Sequence, residues 1–144
     1  MKYKTDWTNK TEIDRVWHII DAKDQILGRV ATKIASLLIG KEKVNIVPNV
    51  DGGDFVIVLN SDNVKLTRGK ESKKMYYKHT GYPGGLKEIV FEDQIKKDSR
   101  RVIELAVKNM LPKNKLRDNR MNRLFVYKGG EHKQAAQSPK EYKL

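Results

Sequence analysis

The sequence contains no cysteine, so disulfide bridges, thiolate metal sites and cysteine nucleophiles are all excluded. Aromatic residues make up only 8% of the chain and hydrophobic residues 38%, which predicts a modest core. The longest uninterrupted apolar run, Phe55–Leu59, is far shorter than the roughly 18 to 20 residues that a membrane-spanning helix needs. We therefore expect that the chain does not cross a bilayer, and we expect no membrane among its partners.

The N-terminal region also lacks the marks of a targeting signal. Its first residues mix basic and acidic side chains, so they form neither a secretory apolar segment nor an acid-poor transit peptide. We expect an intracellular, cytoplasmic protein. At 144 residues the chain has the length of one ordinary domain, and we expect a single domain over 1–144.

Acidic residues are few relative to basic ones: 18 against 30, giving a formal net charge of +12 and a pI of about 9.8. The excess is local. Residues 65–87 hold seven bases and one acid, and residues 108–133 hold eight bases and two acids. Such windows predict a surface for a polyanion.

Aromatic residues and glycines are interleaved with these bases, which favours RNA over a merely solvated face. Flat rings and exposed backbone approach bases and sugars, while Lys and Arg neutralise phosphates. From local charge and ring content the candidate RNA contacts are Lys70, Lys73, Lys74, Tyr77, Tyr82, Lys87, Arg117, Arg120, Arg123, Lys128 and His132.

Hydrophobic patterning predicts alternating strands and helices. Trp17–Asp21 is typical of a strand, and an apolar stripe from Leu27 predicts a helix that Asp24 caps and Gly40 ends. The run Phe55–Leu59, continuous rather than alternating, predicts a buried central parallel strand. The fold class is therefore α/β.

The remaining chain is less regular. A second short strand is predicted near 64–67, a weak helix over 89–97, a better helix that ends before Pro112, and a last strand over 124–127. We expect 68–87, in which 73–79 could form a strand, and 112–123 to be basic, RNA-facing loops. The tail 129–144 has no packing signal, and 1–14 is a candidate flexible extension.

Enzymatic motifs are absent: neither a P-loop nor a dinucleotide-binding glycine pattern occurs. Gly28 is interpreted as a position where the first helix packs closely on the sheet. The three histidines lack metal-ligand spacing. Asp51 and Asp54 flank a Gly-Gly turn, where turn formation and capping are the favoured roles. A metal-dependent nuclease using these two carboxylates stays an alternative, as does a regulatory RNA-binding module.

Several ordered segments resemble one family. These segments are Trp17–Asp21 with Leu27, Gly28 and Arg29; Gly53–Val58 with Asn60; Tyr76–Gly81; Gly84–Lys87; Ala106–Leu116; and Val126, Tyr127, Gly130, Glu131, His132, Ala136 and Gln137. Together they are similar to the bacterial-type large-subunit ribosomal protein L13 family, over nearly the whole chain.

The resemblance implies a three-layer α/β/α domain with a small, mostly parallel sheet and basic projecting loops. It implies no catalytic activity, no cofactor and no small-molecule substrate. It also implies a place in the cytoplasmic ribosome, with large-subunit rRNA and neighbouring large-subunit proteins as partners and a role early in subunit assembly. Homo-oligomerisation is not expected. Carried over by position, the family's basic signature falls on Lys108, Lys113 and Lys115, and its His-Thr-Gly loop falls on Lys78, His79, Thr80 and Gly81.

The sequence departs from the family pattern in one loop and in the tail. Asn109 stands where the family usually has glycine, and Arg117 and Asp118 replace a Gly-Arg pair. Asn tolerates a positive φ, so Asn109 is compatible with a helix end. Lys133 and Gln134 replace a Pro-His pair, and the family's role for that pair is not transferred.

Overall fold

The computed structural model describes residues 8–9 and 13–142. The predicted extension 1–14 therefore lies largely outside the described residues. The strands are β1 (Trp17–Asp21), β2 (Phe55–Leu59), β3 (Met75–His79), β4 (Leu86–Val90), β5 (Leu124–Val126) and β6 (Lys140–Glu141). The helices are α1 (Leu27–Ile39), α2 (Phe91–Met110) and α3 (Arg117–Met121).

The main sheet is parallel, with strand order β5-β2-β1-β6. β2 lies inside it, and Val56, Ile57 and Val58 are fully buried, as the continuous apolar run predicts. Antiparallel β3 and β4 form a second, two-stranded sheet. The predicted α/β class is confirmed.

Alternate residues of the sheet face two environments. Ile20, Val56 and Val58 share one hydrophobic cluster with α1 and α2, which cover that face. On the opposite face the Trp17 ring stacks on Phe55 and on Phe125, with centroids 4.2 and 5.5 Å apart. The chain returns from β5 past β2 and β1 to β6, and the handedness rule for parallel connections predicts that it crosses this aromatic face.

Helix α1 follows its predicted stripe, since Leu27, Val30, Ile34 and Leu38 are all buried. It ends at Gly40, whose φ of 82° lies in the left-handed region that glycine adopts without strain. The prediction that Asp24 caps the start of α1 is wrong.

Asp24 has a φ of 59° and pairs with Lys65 at 2.5 Å, and the helix begins after Ile26 without a side-chain cap. The predicted strand near 64–67 is also absent: Lys65 makes only an isolated bridge with Ile26.

Helix α2 joins the two helices predicted from the sequence. Asp98, with φ −158° and ψ 97°, breaks the helical geometry at the predicted boundary. Beside it, the buried hydroxyls of Ser99 and Ser61 hydrogen-bond at 2.7 Å. This bond ties the kink to the segment that follows β2.

Three segments are more ordered than predicted. Residues 68–87 contain more strand than predicted, because β3 lies there and pairs antiparallel with β4, whose first two residues belong to the same range. The predicted loop 112–123 contains the short helix α3. The prediction that the tail has no packing is wrong. Strand β6 pairs with β1, and the Tyr142 ring then packs edge-on against the His18 ring, with the ring centroids 5.8 Å apart.

Candidate nucleic-acid interface

The hairpin of β3 and β4 separates its side chains onto two faces. Tyr76 pairs with Ile89 and Lys78 with Lys87, so these four share one side of the pleat. Tyr77, His79 and Leu86 belong to the other side, together with Met75, Glu88 and Val90. Tyr77 is 64% and Leu86 53% exposed. The strand period therefore places the two lysines of the hairpin on one face and its exposed rings, Tyr77 and His79, on the other.

A groove of about 440 Å³ lies between this hairpin and α2. Four basic side chains line it: Lys78, Lys87, Lys97 and Arg101. None of the four has a salt bridge within the described ranges 8–9 and 13–142. Asp98 also lines the groove, but its carboxylate is held by Arg100 at 3.0 Å. The groove therefore has a positive potential suited to phosphates.

Tyr76 lines the same groove from the hairpin side. Its ring packs against the hydrophobic cluster, and the Lys74 ammonium lies 5.2 Å from the ring centre. Burial raises the pKa of the Tyr76 phenol to about 12, so the group stays a neutral hydroxyl at physiological pH. The buried Oη has no hydrogen-bond partner among the described residues. An oxygen acceptor entering the groove would complete its bonding.

The turn after β3 is built around its own side chains. The Gly81 amide donates to His79 Nδ1 at 3.0 Å, which assigns the proton of the neutral imidazole to Nε2. The Thr80 amide donates to the Gly85 carbonyl at 3.0 Å and closes the turn. His79 and Tyr82 are exposed, so the turn presents one N–H donor and one ring.

A second basic surface surrounds the end of α2. Lys108, Lys113 and Lys115 are exposed, and Met110 is 43% exposed. The Thr32 hydroxyl donates to Met110 Sδ at 3.6 Å, so this surface adjoins the outer face of α1.

Two further cations belong to the α1 side. Arg29 and Lys33 line a shallow depression of about 360 Å³ there with Gln25 and Thr32. Both lie outside the two basic windows, and neither was predicted as an RNA contact. Lys97 and Arg101 were missed in the same way, because their charges fall outside both basic windows.

Most of the sequence-predicted contact residues are exposed. These are Lys70, Lys73, Lys74, Tyr77, Lys78, His79, Thr80, Gly81, Tyr82, Lys87, Lys108, Lys113, Lys115 and Lys128. Arg117 and His132 are half-buried, and Arg117 Nε and His132 Nδ1 have no hydrogen-bond partner among the described residues.

Arg120 and Arg123 correct the prediction from local charge density. They are only 3% and 6% exposed, so their guanidinium groups do not reach a surface ligand. Both pair with Asp51; Arg123 Nη2 donates to its Oδ1 at 2.7 Å, and Arg120 Nε lies 3.4 Å from the same oxygen. Arg123 also donates to the Leu38 carbonyl at 3.2 Å. These two arginines are structural.

The two aspartates of the Gly-Gly turn are held in the same way. Asp54 accepts hydrogen bonds from the Val16 amide at 3.0 Å and from Lys43 at 2.6 Å, and His18 Nε2 lies 3.2 Å from it. Burial by itself raises the pKa of each carboxyl, but the hydrogen bonds and charges of these partners outweigh it, and the pKa of both Asp51 and Asp54 is lowered. Their roles extend beyond the predicted turn formation to buried ion pairs.

The described residues include no cluster of three or more His, Cys, Asp and Glu side chains that could hold a metal ion. Within that same part of the chain, no helix is both long and apolar enough to cross a bilayer.

Comparison with known proteins identifies the family. The family model described as ribosomal protein L13 matches residues 15–133. The chain belongs to the ribosomal protein L13 family. It is 48% identical over 139 residues to the large ribosomal subunit protein uL13 of Chloroflexus aggregans, covering 96% of this chain and 97% of the relative.

Two further relatives agree. The uL13 of Stutzerimonas stutzeri is 49% identical over 141 residues, with 98% of this chain and 99% of the relative covered. The uL13 of Petrotoga mobilis is 49% identical over 135 residues, with 94% and 89% covered. The L13 family is a structural component of the ribosome and not an enzyme, so the nuclease alternative falls. As a ribosomal protein, the chain has the cytoplasmic, ribosomal location predicted from the sequence.

Proposed function

We propose that the chain is a structural constituent of the large ribosomal subunit that binds the large rRNA and helps early subunit assembly. The observation that carries the proposal is the groove in which Lys78, Lys87, Lys97 and Arg101 converge without salt-bridge partners among the described residues. Four such charges repel one another unless a polyanion neutralises them. The similar proteins are large ribosomal subunit proteins, which indicates the subunit.

The mechanism is scaffolding. Phosphate contacts give affinity and register, while the packed α/β body holds the groove and the Lys108–Lys115 surface in fixed positions. RNA segments that would otherwise repel each other are then bridged by one rigid, positively charged protein. Neighbouring large-subunit proteins complete the surroundings, and the chain acts as a single copy without a substrate or cofactor.

The charge-reversal pair Lys113→Glu and Lys115→Glu tests the rRNA contact. Log affinity falls with log salt, and each lost phosphate contact makes that fall less steep by roughly 0.7 to 0.9. The double variant is therefore expected to reduce the steepness by about 1.5. The matched control reverses Lys23 and Lys41, which are also exposed but lie outside both basic surfaces. Filter binding to the large rRNA at several salt concentrations measures both slopes.

An unchanged slope for the Lys113 and Lys115 variant, or an equal change in the control, contradicts the assigned contact surface. The assembly role has a separate readout. Depleting the protein from growing cells should lead to incomplete large-subunit particles before mature subunits decline. Normal particle profiles under full depletion would remove early assembly from the proposal.

A further inference from the structure

The two faces of the β3–β4 hairpin carry different chemistry. The face toward α2 presents Lys78 and Lys87 opposite Lys97 and Arg101 across the groove. The outer face presents the exposed side chains of Tyr77, His79 and Leu86 beside the acidic Glu88, and Tyr77 also borders the groove. A uniform phosphate-binding surface would have no use for that outer face.

An A-form RNA duplex would engage only one of these faces. Its bases are stacked inside the helix, and its surface offers phosphates and 2′-hydroxyls. Bases become available to aromatic side chains where the RNA is unpaired and a base can be splayed away from its backbone. An exposed tyrosine beside a cationic groove is the arrangement by which proteins hold single strands.

We propose that the hairpin is a two-sided clamp for an unpaired RNA segment. The groove face binds the phosphates of the strand, and the outer face stacks its bases on Tyr77 and Leu86. This inference rests on the proposed function and specifies the kind of RNA that this part of the molecule binds. The Tyr76 hydroxyl in the groove gains its missing partner from a phosphate or ribose oxygen.

The two faces predict two separable signatures. Removing a groove cation lowers the salt dependence of binding, because each phosphate contact on a single strand contributes about 0.7 to the slope. Removing the outer ring lowers affinity without changing the slope, because stacking releases no counterions. One aromatic–base stack corresponds to at least about a fivefold change in affinity.

The experiment uses the full-length protein and two probes, an unpaired RNA of about ten nucleotides and an RNA duplex of the same length. Lys97→Ala is compared with Lys96→Ala, which removes the same charge from the neighbouring exposed position outside the groove. Tyr77→Leu is compared with Tyr77→Phe, which keeps the ring. Fluorescence anisotropy across a salt series gives the affinities and slopes.

We expect wild type to prefer the unpaired probe. For Lys97→Ala the slope of log affinity against log salt should be less steep by about 0.7, whereas Lys96→Ala should keep the wild-type slope. Tyr77→Leu should bind the unpaired RNA at least about fivefold more weakly at an unchanged slope, while Tyr77→Phe binds like wild type. Equal binding of duplex and unpaired RNA overturns the clamp. So does equal behaviour of Lys97→Ala and Lys96→Ala, or unaltered binding by Tyr77→Leu.

The clamp and the proposed function fail separately. If wild type binds the large rRNA more tightly than an unrelated RNA of equal length, but the hairpin variants behave like wild type, only the clamp is wrong. If wild type shows no preference for the large rRNA, the proposed function itself is contradicted.

Discussion

Arg123 and Asp51, 72 residues apart in sequence, form a bidentate ion pair beside the N-terminal ends of β2 and β5. Both terminal guanidinium nitrogens of Arg123 donate to the Asp51 carboxylate, and Nη2 reaches Oδ1 at 2.7 Å. The pair joins the end of α3 to the Gly-Gly turn before β2. Positive charge in the most basic part of the chain is thus used to hold the fold.

Replacing Arg123 with alanine should destabilise the protein by about 3 kcal/mol. The change leaves the partly buried Asp51 carboxylate without its main partner, and breaking such a pair from one side costs about 3 to 5 kcal/mol. Urea unfolding measures the loss. Lys113→Ala, at an exposed position, should change the free energy of unfolding by no more than about 0.5 kcal/mol. A loss below about 1 kcal/mol in Arg123→Ala would contradict the structural role.

Stability should fall in acid. The pKa values of Asp51 and Asp54 are lowered in the folded protein, so their contribution is complete above the unfolded pKa of about 3.9. It is lost as the pH falls through the folded values. The exposed pair of Asp24 with Lys65 and the partly exposed pair of Asp98 with Arg100 add little. Unfolding free energies measured between about pH 6 and pH 2.5 should decline below about pH 4, and less steeply in Asp51→Asn. An equally steep decline in that variant would show that other groups dominate.

Two glycines should respond oppositely to alanine. Gly28 lies in the first turn of α1, where an added Cβ meets nothing within 4 Å, so close packing on the sheet is not its role. Gly28→Ala should raise stability by about 0.5 kcal/mol, because glycine is a poor helix former. At Gly53 a Cβ would lie 1.8 Å from the Leu38 carbonyl oxygen. Gly53→Ala should therefore lose at least about 2 kcal/mol. Thermal unfolding compares the two, and equal shifts would contradict the packing described.

Tyr142 should contribute to stability although the tail shows no pattern. Its amide donates to the Ile19 carbonyl at 2.8 Å, and its hydroxyl donates to Glu42 at 2.7 Å. The ring also packs edge-on against His18. Tyr142→Ala should cost about 1 to 2 kcal/mol through lost packing and the lost hydroxyl bond. Tyr142→Phe, which keeps the ring, should lose less than half of that; equal losses would assign the effect to the hydroxyl alone.

Sequence reasoning predicted the elements whose signal is local. Trp17–Asp21 and Phe55–Leu59 are strands with the predicted bounds, because apolar runs limited by polar residues define them. The stripe from Leu27 and the terminal Gly40 predicted α1. The division into a weak helix over 89–97 and a second helix that ends before Pro112 predicted the break that the structure shows in α2 at Asp98.

Interactions between distant segments were not predictable in this way. Charge density cannot distinguish an exposed arginine from Arg123, whose partner is 72 residues away. β6 has only two residues, too few for a pattern. The second strand of the hairpin was missed because Lys87 and Glu88 interrupt its apolar residues. The groove exists only because that hairpin packs beside α2, so Lys97 and Arg101 had no signal of their own.

Sedimentation of a gentle lysate through a sucrose gradient, in low and then high salt, tests the central claim most directly. The protein is followed by antibody or mass spectrometry. Constitutive membership of the large subunit predicts that it co-migrates quantitatively with large subunits and stays with them in moderate salt. A peak in the light fractions, with a pool bound to particular messages, would contradict that claim and favour a regulatory RNA-binding role outside the ribosome.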